Sequence, residues 1–175
     1  MALLPVRLYP DPVLRARAAP VERFDDELRR LVRDMIETLH AAPGVGLAAP
    51  QVGVGQRVAI VDLSVGERPA ELHILVNPVL VSSAGSLVEE EGCLSIPGIS
   101  EKVERPAAVS VVASDLEGNA FELRGADLLA RALCHEIDHL DGILFPDRLR
   151  GLRRERVRRA LRRLAREAEQ GAVIA

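Results

Sequence analysis

The segment His135-Glu-Ile-Asp-His139 constrains the fold more than any other part of the sequence. Two histidines four residues apart lie on one face of an α-helix, about 40° apart around its axis. Leu128 and Ala132 share that face, so both imidazoles are expected to point into the protein interior. The pattern predicts a helix from about Ala126 to Leu140, ended by Gly142, with a pair of inward-facing imidazoles near its end.

Two interior histidines need partners, and the sequence allows two interpretations. In the first, backbone carbonyl groups satisfy the imidazoles and Glu136 lies on the surface. In the second, both histidines bind a divalent ion and Glu136 acts on a water molecule held by that ion.

A catalytic ion in a tetrahedral site needs a third protein ligand. Three residues are candidates, namely Cys93, which follows a glycine, Cys134 and Glu155. Helical geometry turns Cys134 about 120° away from the histidine pair, and Glu155 lies in an arginine-rich segment that should be solvated. Cys93 is therefore favoured, although an isolated cysteine is as often a small packed side chain.

The rest of the chain predicts further helices, strands and loops. Four prolines among the first 20 residues favour an extended arm. Apolar residues at helical spacing predict a helix after Asp25, its N-cap, and the glycines and prolines of 43–53 predict a loop. Strands are expected at 57–62, 72–76, 79–82, 107–113 and 120–123, the last two as a hairpin. The final helix is predicted over 147–171, with an apolar stripe formed by Val157, Ala160, Leu161, Leu164 and Ala168.

These elements predict an α+β fold and a single domain, 1–175. Antiparallel strands would pack around the central helix that carries the two histidines, with one helix before it and one after it.

Composition narrows the possible functions. The chain has 175 residues with three Phe, one Tyr and no Trp, too few aromatic rings to stack single-stranded nucleic acid. Ten arginines and four acidic residues lie within 147–169, so the net charge of −3 divides into an acidic body and a basic C-terminal helix.

Two cysteines are too few for a disulfide framework, and no signal-peptide pattern or membrane-spanning apolar run occurs. We expect a cytoplasmic protein without membrane or DNA partners.

Three segments together resemble the signature motifs of the peptide deformylase family in their order and spacing. They are Gly44-Val-Gly-Leu-Ala-Ala-Pro-Gln51, Glu91-Gly-Cys-Leu-Ser95 and His135-Glu-Ile-Asp-His139. The co-occurrence of three motifs is more specific than any one of them. The resemblance extends through Phe145 and covers most of the chain. It implies a metal-dependent hydrolase that removes the formyl group from the formyl-methionine of newly synthesised proteins and releases formate.

The same resemblance implies a role for each matching residue. It implies that Cys93, His135 and His139 bind the metal and that Glu136 is the general acid–base catalyst. It implies that the Gln51 side chain and the Leu94 backbone amide stabilise the oxyanion. Backbone groups of Val45, Gly46 and Gly92 would bind the substrate peptide. It implies Fe²⁺ as the working ion, replaceable by Ni²⁺, Co²⁺ or Zn²⁺. It also implies formyl-methionyl nascent peptides as substrates. The arginine-rich helix allows two interpretations, namely a solvated face whose apolar stripe docks on the body or, by the same resemblance, a contact with ribosomal RNA near the exit tunnel.

Two positions depart from the family pattern. Many members have Gln directly before the first histidine, where this chain has Cys134, and we expect a packed or partly exposed thiol with little effect on catalysis. Bacterial members often place an arginine several residues after the Cys-Leu-Ser segment, where this chain has Ser100, Glu101 and Lys102. A residue other than that arginine must therefore contact the downstream peptide.

Two other functions share part of the pattern. A zinc endopeptidase would use the H-E-x-x-H pair with a third ligand other than Cys93. A ribosome-associated RNA-binding protein would use the basic helix alone, and the three inner motifs would then have no explanation.

Overall fold

Three α-helices and seven β-strands form the described part of the chain, residues 2–174 of a computed structural model. The helices are α1 (Asp26–His40), α2 (Asp127–Leu140) and α3 (Gly151–Ile174). The strands are β1 (Gly46–Ala48), β2 (Val58–Asp62), β3 (Leu72–Ala84), β4 (Leu87–Cys93), β5 (Ile96–Arg105), β6 (Ala108–Ser114) and β7 (Ala120–Ala126). The predicted α+β class is confirmed.

The strands form two antiparallel sheets. The larger sheet has the order β1-β2-β3-β6-β7, and the smaller sheet contains β4 and β5. The predicted hairpin is the β6–β7 pair, whose turn is fixed by Asp115 accepting hydrogen bonds from the backbone N–H groups of Glu117 and Asn119. β1 and β4 each lie at the edge of a sheet, which leaves one side of each strand open to a further strand.

Helix α2 packs against the larger sheet and occupies the centre of the fold. Its buried residues Ala130 and Leu133 contact Val61, Leu75 and Val111 of that sheet in one apolar cluster. The helix ends before Gly142, whose φ of +73° is a left-handed conformation that glycine adopts without strain. The predicted central helix is confirmed, and it begins one residue later than expected.

Helix α1 begins where the sequence predicts. The Asp25 carboxylate accepts hydrogen bonds from the backbone N–H groups of Glu27 and Leu28, which otherwise lack partners at a helix start. Met35 and Leu39 on its apolar face are fully buried. The amphipathic pattern and the cap together therefore determine this helix.

The smaller sheet was not predicted. Leu87–Cys93 contains three consecutive glutamates, a residue type depleted in strands, so its composition hides the strand. Instead of a period-two apolar pattern, β4 relies on its partner strand and on buried ion pairs described below.

Helix α3 packs on the smaller sheet. Val157 and Leu161 contact Ile96, Val103 and Phe145 in a separate apolar cluster. The helix begins four residues later than predicted, because a 3-10 turn over Phe145–Arg148 precedes it. The apolar stripe of α3 that packs against the sheet is also shorter than predicted, because its last residue, Ala168, is exposed. No helix of the described residues, α3 included, is both long and apolar enough to cross a membrane.

Two further expectations need correction. The runs 72–76 and 79–82 form one strand, β3, with register shifts after Val76 and after Leu80 and with Asn77 at a φ of +52°. The predicted loop 43–53 contains the short strand β1 and a 3-10 turn, Ala49–Val52. The Gly-rich composition conceals β1, which is held by its pairing with β2.

Candidate active site

Three metal-ligating side chains converge at the centre of the molecule. Their donor atoms, on Cys93, His135 and His139, lie within 4.8 Å of one another. The Cys93 Sγ atom is 3.3 Å from His139 Nε2, which is 3.1 Å from His135 Nε2. The end of β4 supplies the thiol, and two positions one turn apart on α2 supply the imidazoles.

The donor set fits a divalent metal ion. His135 Nδ1 donates a hydrogen bond to Glu91 Oε1 at 2.6 Å, which leaves the Nε2 lone pair of His135 directed at the other two donors. Two imidazole nitrogens and a thiolate sulfur are common ligands of Zn²⁺ and other first-row divalent ions. The first alternative, in which backbone carbonyls satisfy both histidines, is wrong for His135, because its partners are side chains.

Glu91 joins the metal-ligating cluster to a buried chain of charges. Arg105 donates to both Glu91 oxygens, at 2.6 and 3.1 Å, and also to Asp138 at 2.6 Å. Burial of the Glu91 carboxylate raises its pKa, but the hydrogen bonds from His135 and Arg105 outweigh that effect and lower it to about 2. Glu91 is therefore ionised and able to orient His135.

Glu136 is buried beside the cluster and is not a surface residue. Its side chain lies against Gly46 of β1, where an added Cβ would overlap Oε1. Its Oε2 atom has no hydrogen-bond partner within the described residues. Burial raises the pKa of Glu136 to about 7, the range in which a carboxyl group both accepts and donates a proton at neutral pH.

Gln51 faces the cluster of Cys93, His135 and His139 from the 3-10 turn that follows β1. Its Oε1 accepts from the backbone N–H of Ala48 at 3.0 Å, which directs the Nε2 group toward Cys93 Sγ at 3.6 Å and Ser95 Oγ at 3.2 Å. Leu94 lies in the turn between β4 and β5, and its side chain occupies the space beside Gly44 that a Cβ at that position would need. A carboxamide donor and this turn therefore flank the thiol.

A cleft of about 710 Å³ opens over the cluster between the edges of β1 and β4. The three residues predicted to hold the peptide backbone, Val45, Gly46 and Gly92, all line it, and Leu128 and Ala132 of α2 give it an apolar wall. A cleft of this size and shape accommodates an extended peptide of a few residues.

The two positions that depart from the family pattern have distinct surroundings. Cys134 is buried away from the cluster, beside a smaller cavity lined by Arg105 and Arg148, and burial raises the pKa of its thiol. Ser100 lines the large cleft and donates to Glu90 at 2.6 Å. Glu101 pairs with Arg156 of α3 at 2.7 Å instead of facing the cleft.

Three residues at the site, Glu91, Ser95 and Arg105, have no role that the sequence predicts. The available signal for Glu91 is its place in the Glu91-Gly-Cys-Leu-Ser95 segment, two residues before Cys93. Arg105 had no such signal, since it meets Glu91 across a strand pair that the sequence does not predict.

Comparisons with known proteins agree with this geometry. The family model of polypeptide deformylases matches residues 3–155. The chain is 49% identical over 169 residues to a peptide deformylase of Acidobacterium capsulatum, covering 97% of this chain and 99% of that protein. It is 48% identical over 167 residues to one of Alkalilimnicola ehrlichii, covering 95% and 93%.

Solved structures show the same fold. A crystal structure of a peptide deformylase from Legionella pneumophila has a TM-score of 0.86 at 44% identity and covers 95% of this chain and 98% of its own. One from Plasmodium falciparum has a TM-score of 0.89 at 36% identity, with the same coverage. The family match includes all three motifs, from Gly44 to His139. This chain therefore belongs to the peptide deformylase family.

Proposed function

We propose that this chain, as one catalytic domain over 1–175, removes the formyl group from the N-terminal formyl-methionine of newly synthesised proteins in the cytoplasm. Water adds to the formyl carbon, the bond from that carbon to nitrogen breaks, and the products are formate and a free methionine amine. The observation that carries the proposal is the meeting of three metal-ligating atoms, a buried carboxyl group and a carboxamide donor beneath a peptide-sized cleft.

Cys93, His135 and His139 are the residues that would hold the metal. We propose Fe²⁺ as the working ion, and thiolate and imidazole ligands also accept Ni²⁺, Co²⁺ and Zn²⁺. When bound, the ion supplies Lewis acidity, which polarises the formyl oxygen and lowers the pKa of a water molecule toward neutrality. The Glu91 carboxylate would keep the His135 ring oriented toward that ion.

Glu136 would move the protons of the reaction. Its buried carboxylate, with a free Oε2 atom, takes a proton from the attacking water. It then delivers that proton to the departing methionine nitrogen, which is a poor leaving group until it is protonated. Positioned acid–base catalysis of this kind contributes about 10²- to 10⁴-fold to the rate.

Gln51 and Leu94 would stabilise the negative charge that develops on the formyl oxygen. The Gln51 carboxamide is held with its Nε2 group toward the reacting centre, and the Leu94 backbone amide follows Cys93 directly. A fixed donor aimed at the oxyanion lowers the barrier by about 3 kcal/mol.

The substrate peptide would bind as an added strand between β1 and β4. Backbone groups of Val45, Gly46 and Gly92 lie along the two strand edges that border the cleft. The methionine side chain would contact Leu128 and Ala132, which form the apolar wall. Ser100, at the same cleft, is the candidate to contact the downstream peptide in place of the arginine common in bacterial relatives.

The experiment compares deformylation with peptide-bond hydrolysis. Protein purified anaerobically with Fe²⁺ is incubated with formyl-Met-Ala-Ser and with a longer acetylated peptide, and products are identified by mass spectrometry. We expect formate and intact Met-Ala-Ser, and no cleavage of the acetylated peptide. Cys93→Ala should lose metal and activity, whereas the matched Cys134→Ala should keep both. Internal cleavage, or a Cys93→Ala variant that retains metal and activity, would favour an endopeptidase instead.

We also propose that α3 contacts ribosomal RNA near the exit tunnel. Arg154, Arg159, Arg162, Arg163 and Arg166 are exposed on this helix and provide a cationic surface for phosphates. The test replaces Arg162 and Arg163 with glutamine and measures ribosome binding against salt concentration, with Arg30→Gln and Arg33→Gln on α1 as the matched control. Weaker binding with a shallower salt dependence is expected for the α3 variant alone. Equal binding of both variants would remove the proposal.

A further inference from the structure

We propose that the N-terminal arm, residues 4–10, is a positioning element of the active site. It holds Gln51 at a fixed distance from the turn 93–95, which carries the thiol and the Leu94 amide. The inference rests on the proposed function, because the separation of these donors matters only if they stabilise an oxyanion.

The two segments belong to different sheets. Gln51 lies in the 3-10 turn that follows β1 in the larger sheet, and residues 93–95 connect β4 to β5 in the smaller one. Within residues 2–174 no strand pairing joins the two sheets. The direct polar contacts between them at this point come from the Gln51 side chain, to Ser95 Oγ and Cys93 Sγ. A backbone ladder therefore does not set their separation.

The arm supplies the backbone link that the sheets lack. The N–H of Arg7 donates to the carbonyl of Gln51 at 2.6 Å, and the N–H of Tyr9 donates to the carbonyl of Ser95 at 2.8 Å. The two donor N–H groups are only two residues apart along the arm, so this short segment limits the distance between the two carbonyl groups that they bind. Residues 7–9 therefore act as a spacer of fixed length between the two segments.

The arm is anchored on both sides of this spacer. The N–H of Leu4 donates to Thr38 Oγ1 of α1 at 2.9 Å, and the Leu4 side chain packs on the cluster beneath the larger sheet. Tyr9 packs on the cluster between the smaller sheet and α3. The side chains of Arg7 and Leu8 are exposed, so the link at residue 7 depends on its backbone N–H.

The consequence for catalysis follows from preorganisation. Donors stabilise a developing charge only when they are already in place, and a displacement of about 1 Å at a reacting centre can lower the rate by about 100-fold. Loss of the spacer should therefore lower kcat and leave KM nearly unchanged, because the strand edges that would bind the peptide are intact.

The test removes one hydrogen bond and keeps the arm. Arg7→Pro deletes the N–H that reaches Gln51, and an amide-to-ester replacement at residue 7 deletes it without constraining the backbone. Arg7→Ala keeps the N–H and removes the side chain. Leu3→Pro is the matched proline control, because Leu3 lies outside the arm 4–10, is exposed, and donates no backbone hydrogen bond from its N–H in the described structure. Each variant is assayed for kcat and KM, and its Co²⁺-loaded form for the thiolate charge-transfer band.

We expect both variants that lack the residue 7 N–H to lose about tenfold or more in kcat, with KM changed less than twofold. Their charge-transfer band should shift, because Gln51 Nε2 contacts Cys93 Sγ. Arg7→Ala and Leu3→Pro should match the wild type. Wild-type kcat and band in the ester variant, or an equal loss in Leu3→Pro, would overturn the inference. If the wild type released no formate, the proposed function would fail, and the band would still test the spacer.

Discussion

Gly46 and Glu136 lie in contact, and the absence of a side chain on Gly46 leaves the space that the carboxyl group occupies. A Cβ at this position would overlap Glu136 Oε1. Gly46→Ala should therefore lower kcat/KM by about 100-fold, because the displaced carboxylate no longer reaches the water and the leaving amine. Gly55→Ala is the matched control, since a Cβ there meets nothing within 4 Å. Formate release by both variants measures the effect, and full activity of Gly46→Ala would contradict it.

Glu91 should determine how tightly the metal is held. Removing the charge of a group that orients a ligating imidazole weakens metal binding by about 10- to 100-fold. We expect that loss for Glu91→Gln, measured by competition with a chelator. Glu90→Gln, one residue away and exposed, should bind metal like the wild type. Equal metal affinity in the two variants would mean that the 2.6 Å contact with His135 has no influence.

Residues of the candidate site are predictable from the sequence when they lie close together along the chain in a recognisable motif. His135, Glu136 and His139 are predicted by one short motif on one helix, and the structure brings them together with Cys93 and Gln51. Ser95 and Arg105 carry no comparable signal, because each acts through a partner distant in sequence.

At the scale of elements, Asp62 connects the end of β2 to the end of α1. Its buried carboxylate accepts hydrogen bonds from His40, from Ser64 and from the backbone N–H of Gly66. Burial raises the pKa of Asp62, but these bonds outweigh it and lower the pKa to about 2.

The depressed pKa of Asp62 predicts a pH dependence of stability. The ionised carboxylate of Asp62 contributes about 2 kcal/mol to the free energy of unfolding. This contribution is present in full above the pKa of about 4 that the group has in the unfolded chain, and it is lost as the pH falls toward 2. Asp62→Asn should lose this contribution at pH 7 and show a flatter dependence between pH 4 and pH 2. Urea unfolding across that range is the measurement, with the exposed Asp26→Asn as control. Parallel pH profiles of wild type and Asp62→Asn would be inconsistent with this account.

Helix α3 should stabilise the element that carries Cys93. Leu161 is 6% exposed and packs in the cluster that contains Ile96, three residues after the thiol. Leu161→Ala should lower the free energy of unfolding by about 3 kcal/mol. Leu152→Ala, at a side chain that is 88% exposed on the same helix, should change it by less than about 0.5 kcal/mol. Similar urea midpoints for the two variants would mean that α3 is not docked.

Helices were more predictable than strands for a physical reason. α1 and α2 bury one face, so their apolar residues recur with the helical period and their ends carry a capping Asp25 or a terminating Gly142. β4 has no such pattern because its glutamates are stabilised by partners elsewhere, as Glu91 is by Arg105. β1 has three residues and depends on β2 for its geometry.

At the scale of the whole molecule, two separate sheets supply opposite sides of one cleft. The larger sheet contributes Gly46, and the 3-10 turn that follows its strand β1 contributes Gln51. The smaller sheet contributes Cys93, and α2 contributes both histidines and Glu136. The basic residues of α3 continue beyond residue 155, where the family match ends, so the cationic surface is carried largely outside the catalytic motifs. We therefore expect mutations in α3 to weaken the proposed ribosome contact without affecting hydrolysis.

Formate release tests the central claim most directly. Anaerobically purified protein with a full complement of Fe²⁺ is given formyl-Met-Ala-Ser, and formate is quantified against new free amine. We predict equal amounts of the two products, and a loss of about 10²- to 10⁴-fold in kcat for Glu136→Gln with its metal still bound. No formate from the fully loaded wild type, with Fe²⁺ or with Ni²⁺, would contradict the assignment.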